Sequence, residues 1–497
     1  MRLSRWSTRS RRWSGARRSR GRSTGYGAIE PALRALFRPA DAKPSAGGLV
    51  FRTCCIRAKR GATMRELAGS RRDVVPIPAD QETHAMSVTT AGKWTATLIA
   101  IGASLALGTS AMAAGTVNVG MSTTMSGAIG SLGTAGRNGV QLAIDKINAE
   151  GGLLGDQIKL VTAEDQAKPP IGVTNVRNFI LNDKVKAIFG PVSSAVGSAE
   201  AGVAKQYKVP IFFHTSNDID QTGHAFSKYV FQVVPSTYME PHAIAAYVAK
   251  EAKEKGWKTF YTISPDYSFG RTTVEEFLNG MKANGVTPDV VGQQWPALGA
   301  SDYSQYISAI NTKKPDFVFV GQYGGDLVTL TKQGNGAGLF KNSHVYAGYW
   351  LDALQALGAD APAGVISSDR AKPFYDNPTA AMKEFTKAYH EKFGSYPAAW
   401  AILSYSAVET WAQGVKKAGS FDADKVADAL SGATIDSALR GPFKIRECDH
   451  LAEVPEYMGV LSPDVNKDYG VRTMDSIVEE PASKTMMSCE AKKKLQG

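Results

Sequence analysis

Two serines stand where a short apolar run gives way to small residues. The stretch IFGPVSSAVGSAE runs from Ile188 to Glu200 and places Ser193 and Ser194 at that junction. If the apolar run is a strand and the small residues form a helix, both serines lie at a helix N-terminus. Backbone N–H groups lack intrahelical partners there, and the helix dipole is positive. The serines therefore either bind an anion or simply cap the helix.

Patterns typical of catalysis are absent from the sequence. The six histidines after residue 113 form no HExxH motif, and HEKFG at His390 has a different spacing. No GxSxG surrounds Ser193 or Ser194, and the glycine-rich GQYGGD (321–326) lacks the lysine of a phosphate-binding loop. The sequence therefore predicts neither an enzyme nor a metal or other cofactor. The rival hypothesis is a hydrolase with a two-lobed α/β fold.

The residues around these serines alternate between β-like and helical patterns. TVNVGM (116–121) is typical of a strand, and Val140, Ala143, Ile144 and Ile147 then follow helical spacing. Repeated βα units predict an α/β fold with parallel sheets. The alternation restarts at KTFYTIS (258–264), which indicates two similar lobes with a cleft between them. A long helical stretch is predicted from Thr379 to Ala418.

Ligands of open parallel sheets bind outside the carboxyl ends of the strands. Glycines and small polar residues occupy those positions in this sequence. They are Gly190, Ser193, Ser194, Thr215, Ser216 and Gly321.

The net charge of +11 is confined to one end of the chain. Residues 1–85 contain 19 Lys and Arg against 6 Asp and Glu, whereas the other 412 residues contain 38 and 40. The N-terminal segment is rich in Arg and Ser and cannot form a core, so it is predicted to be disordered. Without it, the sequence offers no electrostatic reason to predict nucleic-acid binding.

A secretory signal begins inside the chain. Met86 opens a segment with Lys93, a mostly apolar run from Trp94 to Leu107, and the small-residue site Ala111-Met112-Ala113. This is the pattern of a signal peptide over 86–113. Because such a signal works from the N-terminus, Met86 is the expected start, and 1–85 is expected to lie upstream of it. The alternative for 1–85 is a true basic arm.

Two of the four cysteines remain after the predicted cleavage. Cys448 and Cys489 form an even pair in a chain predicted to enter an oxidising compartment. The sequence predicts that they form a disulfide that ties the C-terminal tail to the body. Two separate free thiols are the alternative.

Long ordered stretches of the chain resemble a known family. The run from Val117 to Gln166, together with GPVSS, SPDYSFGR and DYSQYISAINTKKPDFVFVG, is similar to type I periplasmic binding proteins of the branched-chain amino acid class. The resemblance extends from about residue 116 to the C-terminal region. It implies two Rossmann-like lobes joined by three crossovers, which close on a small ligand and serve an ABC importer.

The resemblance also implies ligand contacts. The family's carboxylate-binding serine corresponds to Ser194, and the next binding strand end corresponds to FFHTS, where His214 is either a contact or a pocket-wall residue. An aromatic residue of the second lobe corresponds to Phe269, close to Tyr267. The predicted ligand-binding residues are Ser193, Ser194, His214, Thr215, Ser216, Tyr267, Phe269, Gln294, Leu132 and Tyr323.

Two positions depart from the pattern of amino-acid binders. Gln294 takes the place of the acidic residue that meets the ligand ammonium, and Leu132 replaces an aromatic residue. Asp266 and Asp326 are the other candidates for the acidic partner of a ligand ammonium. Three residues, Tyr323, Asp326 and Trp350, either line the pocket or are surface and core residues. The ligand is accordingly a branched-chain amino acid or, alternatively, an amide, urea, or an aromatic or aliphatic carboxylate.

The prediction is therefore a monomeric periplasmic substrate-binding protein with a carboxylate ligand and membrane permease subunits as partners. Lobe 1 is predicted over 114–235 and 355–436. Lobe 2 is predicted over 236–354 and 437–497, including the C-terminal tail.

Overall fold

The computed structural model describes residues 115–496, which lie within one compact unit. The predicted basic segment 1–85 and signal peptide 86–113 lie outside the described residues. Among the helices of residues 115–496, none is long and apolar enough to cross a membrane.

The first third of the described chain alternates strands and helices. In chain order these are β1 (Thr116–Thr123), α1 (Gly130–Ala149), β2 (Gln157–Glu164), α2 (Pro169–Leu181), β3 (Ile188–Phe189), α3 (Ser194–Tyr207), β4 (Ile211–Phe213) and β5 (Val230–Gln232). The five strands form a parallel sheet in the order β2-β1-β3-β4-β5. A doubly wound sheet of this order places its crevice where the strand order reverses, here between β1 and β3.

The second third repeats the alternation. Its elements are α4 (Met239–Lys255), β6 (Thr259–Ile263), α5 (Ser268–Ala283), β7 (Asp289–Gln294), α6 (Ser304–Lys313), β8 (Phe317–Val320), α7 (Gly324–Ala337), α8 (Leu339–Asn342), β9 (His344–Ala347), α9 (Leu351–Leu357) and β10 (Ile366–Asp369). Its strands pair in parallel from β7 through β6, β8 and β9 to β10.

The last third contributes to both lobes. Its elements are α10 (Ala380–Phe393), α11 (Ala399–Ala418), α12 (Ala423–Leu430), β11 (Thr434–Ser437), β12 (Gly441–Lys444), β13 (Glu456–Leu461), β14 (Met474–Glu480), α13 (Ala482–Thr485) and α14 (Cys489–Gln496). β13 and β14 add antiparallel strands beside β10, which gives the second sheet the order β14-β13-β10-β9-β8-β6-β7. The chain thus passes between the lobes after β5, after β10 and after β12, as the three-crossover prediction required.

Helices cover both faces of the first sheet. α11 packs along α1 and places Trp411 edge-on to Phe189 of β3, with ring centroids 6.2 Å apart. On the opposite face, Val176 of α2 and Val203 of α3 belong to a second buried cluster with Ile188. Burial on both faces explains why the central strands β3 and β4 are apolar throughout.

Three boundaries differ from the sequence prediction. The stretch from Thr379 to Ala418 forms two helices, because Gly394 adopts a left-handed conformation (φ +71°) and Pro397 cannot continue a helix. β10 pairs with β9 and β13 in the second sheet, whereas residues 355–436 were all placed in lobe 1. α14 lies on the first lobe, where Lys492 Nζ donates to the Ile219 carbonyl at 2.7 Å.

A buried carboxyl inside the first lobe carries a prediction about pH. Glu200 of α3 is fully buried and faces Gly172 of α2, where a Cβ would lie 2.6 Å from Glu200 Oε1. Burial raises the pKa of the Glu200 carboxyl well above its usual 4.5, and the negative charge of Asp165 acts in the same direction. The native state therefore holds this proton to a higher pH than the unfolded chain does.

We expect Glu200→Gln to stabilise the fold at neutral pH and not at pH 4. Below 4.5 both states of the wild type are protonated, and above it the unfolded state ionises first. Wild-type stability then falls by about 1.4 kcal/mol per pH unit until the folded pKa is reached, and the variant lacks this slope. Urea unfolding from pH 4 to 8 measures it, with the exposed Glu254→Gln as control. A variant that is no more stable than wild type at pH 8 would contradict the expectation.

Candidate ligand-binding site

A small pocket lies between the two lobes. The pocket is lined by residues of helices α1, α3, α5 and α11 and of the loops that follow strands of both sheets. They are Leu132, Val192, Ser194, Thr215, Asn217, Tyr267, Phe269, Tyr323, Trp350, Arg370 and Trp400.

The lining residues occupy the same kind of position in each lobe. Tyr267, Tyr323 and Trp350 are the residues that immediately precede helices α5, α7 and α9, after strands β6, β8 and β9. Arg370 directly follows β10. These four strands are neighbours in the second sheet, so their carboxyl ends meet at one edge.

In the first lobe, alternation along the chain decides which residues reach the pocket. Thr215 and Asn217, which follow β4, line it, whereas His214 and Ser216 do not. Successive side chains of extended backbone point to opposite sides, so every second residue faces away. Ser216 Oγ instead accepts a hydrogen bond from the Gln221 amide.

His214 lies behind the pocket wall. It is fully buried, and its Nδ1 is 2.9 Å from Thr215 Oγ1. Burial lowers the pKa of His214 to about 3, so the ring is neutral at physiological pH. The sequence left His214 as either a ligand contact or a pocket-wall residue. The geometry supports a wall residue that positions Thr215.

The two serines of the opening junction occupy different positions. Ser193 is the N-cap residue of α3, but its side chain makes no capping hydrogen bond. Ser194 is the first residue of α3 and lines the pocket, where its Oγ accepts the Asn217 N–H at 3.4 Å. Capping by the Ser193 hydroxyl therefore does not account for this pair.

Aromatic side chains form most of the second-lobe wall. The hydroxyls of Tyr267 and Tyr323 are 2.5 Å apart, and Phe269 packs edge-on to Tyr323 at 5.3 Å. Trp350 lies edge-on to Trp400 of α11 at 4.6 Å. Five of the eleven lining residues are aromatic, so the pocket suits a ligand with an apolar body.

A buried ion pair lies within the second lobe, beside the pocket. Arg370 Nε and Nη2 donate to the two carboxylate oxygens of Glu240 at 3.1 and 2.8 Å, and both side chains are 3% exposed. Arg370 Nη1 donates to the Thr215 carbonyl at 3.0 Å, which connects the second sheet to the first lobe. The Asn217 amide donates to Glu240 Oε2 at 3.3 Å.

Six of the ten predicted site residues line the pocket: Leu132, Ser194, Thr215, Tyr267, Phe269 and Tyr323. The other four, Ser193, His214, Ser216 and Gln294, do not. Gln294 ends β7, the edge strand beyond β6, so it stands outside the group of strands whose ends form the pocket.

The pocket residues that the sequence did not single out are Val192, Asn217, Arg370 and Trp400. Trp350, named only as one of two possibilities, also belongs to the lining. Val192 and Asn217 had a usable signal, since each stands two residues from a predicted contact. Arg370 and Trp400 had none, because nothing near them in sequence belongs to the site.

Asp266 and Asp326, the other candidates to meet a ligand ammonium, lie outside the pocket. Asp266 pairs with Arg271 at 2.6 Å on the surface. Asp326 accepts the Gly299 N–H at 2.8 Å, and burial raises the pKa of its carboxyl to about 6. Neither lines the pocket. Within residues 115–496, no group of three or more His, Cys, Asp and Glu is placed to hold a metal ion.

The described fold and pocket agree with what sequence comparison finds. The model of the periplasmic binding protein family matches residues 116–464 of this chain, which is more than half of its length. The chain belongs to the periplasmic binding protein family. The match covers both sheets except β14, together with every residue of the pocket.

Relatives of this periplasmic binding protein are named for amino acids. It is 28% identical over 350 residues to the Leu/Ile/Val-binding protein BraC3 of Rhizobium johnstonii, covering 69% of this chain and 90% of that protein. It is 25% identical over 326 residues to the leucine-, isoleucine-, valine-, threonine-, and alanine-binding protein of Pseudomonas aeruginosa, covering 66% and 85%.

A solved structure with the same fold holds a different ligand. The solute-binding protein of an ABC transporter from Rhodopseudomonas palustris, in complex with 3,4-dihydroxybenzoic acid, matches with a TM-score of 0.65 and 25% identity. The alignment covers 74% of this chain and 98% of that one. The resemblance inferred from the sequence, and the two-lobed type I fold, are thereby confirmed.

Proposed function

We propose that this protein is the periplasmic receptor of an ABC importer and captures a small carboxylic acid between its lobes. It binds its ligand by lobe closure without covalent chemistry, works as a monomer, and delivers the ligand to membrane permease subunits. The observation that carries the proposal is the pocket at the ends of four neighbouring strands in one lobe and at the N-terminus of α3 in the other. The names of its relatives support binding of a small carboxylic acid, and the solved neighbour that is the solute-binding protein of an ABC transporter supports a role in transport.

Ser194 is the proposed carboxylate anchor. It is the first residue of α3, where unpaired N–H groups and the positive end of the dipole favour an anion. Thr215 and Asn217 lie on the same side of the pocket and add polar groups. Branched-chain amino acids are the first ligands to consider, because the relatives named above bind them.

An aromatic carboxylate is the second candidate. The specific observation in its favour is the set of five aromatic side chains around the pocket. Aromatic rings pack well edge-on or offset against one another. The neighbour in complex with 3,4-dihydroxybenzoic acid shares the fold.

Ser194→Ala is expected to weaken ligand binding by roughly ten- to a hundredfold. The reason is the loss of a hydrogen bond to a charged group, worth about 1.5–3 kcal/mol. Calorimetric titration of the wild type and the variant with leucine and with 4-hydroxybenzoate measures this loss of affinity. The comparison uses whichever compound the wild type binds.

Ser193→Ala is the matched control for that experiment. Ser193 is equally buried and adjacent, but its side chain neither caps α3 nor lines the pocket. We expect this variant to keep the wild-type affinity within about twofold. Equal losses in both variants, or none in either, would contradict a carboxylate anchored at Ser194.

A further inference from the structure

The charged side chain that lines the pocket is a cation. Among the described residues that line it, Arg370 carries a formal positive charge, and none carries a carboxylate. A branched-chain amino acid would bring both a carboxylate and an ammonium group into this small space. A buried ammonium is costly unless an acidic or other strong acceptor compensates it.

Two carboxylates hydrogen-bond to residues of the pocket lining. Both oxygens of Glu240 accept hydrogen bonds from Arg370, and one of them also accepts from Asn217. The carboxylate of Asp352 accepts from Ser131 Oγ at 2.8 Å and from Trp400 Nε1 at 3.2 Å. Neither carboxylate lines the pocket.

Donors, by contrast, are left over. A guanidinium has five N–H donors, and those of Arg370 supply three bonds, two to Glu240 and one to Thr215. The indole N–H of Trp350, which is 4% exposed, has no partner among the described residues. Helices α3, α5, α7 and α11 all begin at the pocket and turn their positive ends towards it.

We propose that the pocket selects an apolar monocarboxylate that lacks an ammonium group over the amino acid of the same carbon skeleton. The inference rests on the proposed carboxylate-receptor function and narrows its ligand class. The surplus donors and helix N-termini stabilise the carboxylate, and the aromatic wall accepts the apolar body. An ammonium group would lose its hydration without gaining an acidic partner, next to the Arg370 guanidinium.

Two matched ligand pairs test the selection. The purified protein is unfolded and refolded to remove bound ligand, and it is then titrated calorimetrically with leucine against 4-methylpentanoate and with phenylalanine against 3-phenylpropionate. Within each pair the compounds differ only in the α-ammonium group. We expect the compound without it to bind at least tenfold more tightly in whichever pair fits.

The outcomes distinguish a failure of the proposed ligand selection from a failure of the proposed carboxylate-receptor function. If the amino acid binds as tightly as its analogue or more tightly, the selection is wrong while the receptor function stands. If none of the four compounds binds, and benzoate and 4-hydroxybenzoate do not bind either, the carboxylate-receptor function fails and the inference falls with it.

A matched pair of variants tests whether the absence of an acidic residue in the pocket causes the ligand preference. Leu132→Asp places a carboxylate at the pocket, whereas Leu132→Asn has nearly the same shape without the charge. Relative to the Asn variant, the Asp variant should shift the preference within each pair towards the amino acid by at least tenfold. An unchanged preference would mean that the missing acid is not what excludes the ammonium. If the Leu132 variants do not fold, the wild-type pairs still decide the proposal.

Discussion

Replacing Arg370 by methionine is expected to lower the free energy of unfolding by about 3–5 kcal/mol. The guanidinium and its partner Glu240 are each 3% exposed, and their two hydrogen bonds are 3.1 and 2.8 Å long. Removing one partner leaves the other charge buried without compensation, which is much more destabilising than the pair itself is stabilising. The Thr215 carbonyl also loses its donor, so one link between the lobes is lost.

Urea unfolding followed by circular dichroism measures this loss of stability. Two further variants show how much of the loss comes from the buried, uncompensated carboxylate. Arg271→Met breaks the half-exposed pair with Asp266 and should cost less than about 1 kcal/mol. Adding Glu240→Leu to Arg370→Met should recover a large part of the loss, because the uncompensated carboxylate is gone. An Arg370 variant as stable as the Arg271 variant would show that the buried pair does not contribute the expected stability.

Breaking the Cys448–Cys489 disulfide is expected to lower the free energy of unfolding by about 4 kcal/mol on the chain-entropy estimate. The bridge joins residues 41 apart in sequence, with Cα atoms separated by 5.9 Å. It fixes the start of α14 to the segment that follows β12. Other contacts support the same docking: Arg446 Nη1 donates to the Met487 carbonyl at 2.7 Å, and the Gln496 amide donates to the Cys448 carbonyl at 3.0 Å.

The measurement compares urea unfolding of the wild type with that of the Cys448→Ser/Cys489→Ser variant, each with and without reductant. Reductant should bring the wild type down to the stability of the variant and leave the variant unchanged. Intact-mass analysis should find the oxidised protein two hydrogens lighter than the reduced one. Two alkylatable thiols in the native oxidised protein would contradict the pairing.

The sequence by itself determined most of the strands and helices up to β10, and their order. Short apolar runs such as that ending at Phe189 and helical spacing such as that from Val140 to Ile147 are local patterns, and local patterns survive folding. The disulfide of the structure is likewise the one predicted, because only Cys448 and Cys489 remain after residue 113. Ser194 and Thr215 were found because strand ends of a parallel sheet meet at one edge.

The same reasoning erred where the direction of a side chain mattered. His214 and Ser216 stand next to true pocket residues but point away from them, as a period of two requires. The sequence placed the whole strand end at the site and did not apply that period. Gln294 was chosen by alignment, and the order of strands then put β7 at the edge, away from the pocket.

Only the tertiary structure decided the charge of the site. Arg370 reaches the pocket because β10 pairs beside β9 in the second sheet, and Trp400 because α11 packs along α1 from about 250 residues away. Neither position has a local signature, since its role depends on which distant strand or helix becomes its neighbour. The pairing of Arg370 with Glu240, 130 residues apart, is of the same kind. Local patterns fix which residues form strands and helices, whereas the charges that a ligand meets depend on contacts that exist only once both lobes are assembled.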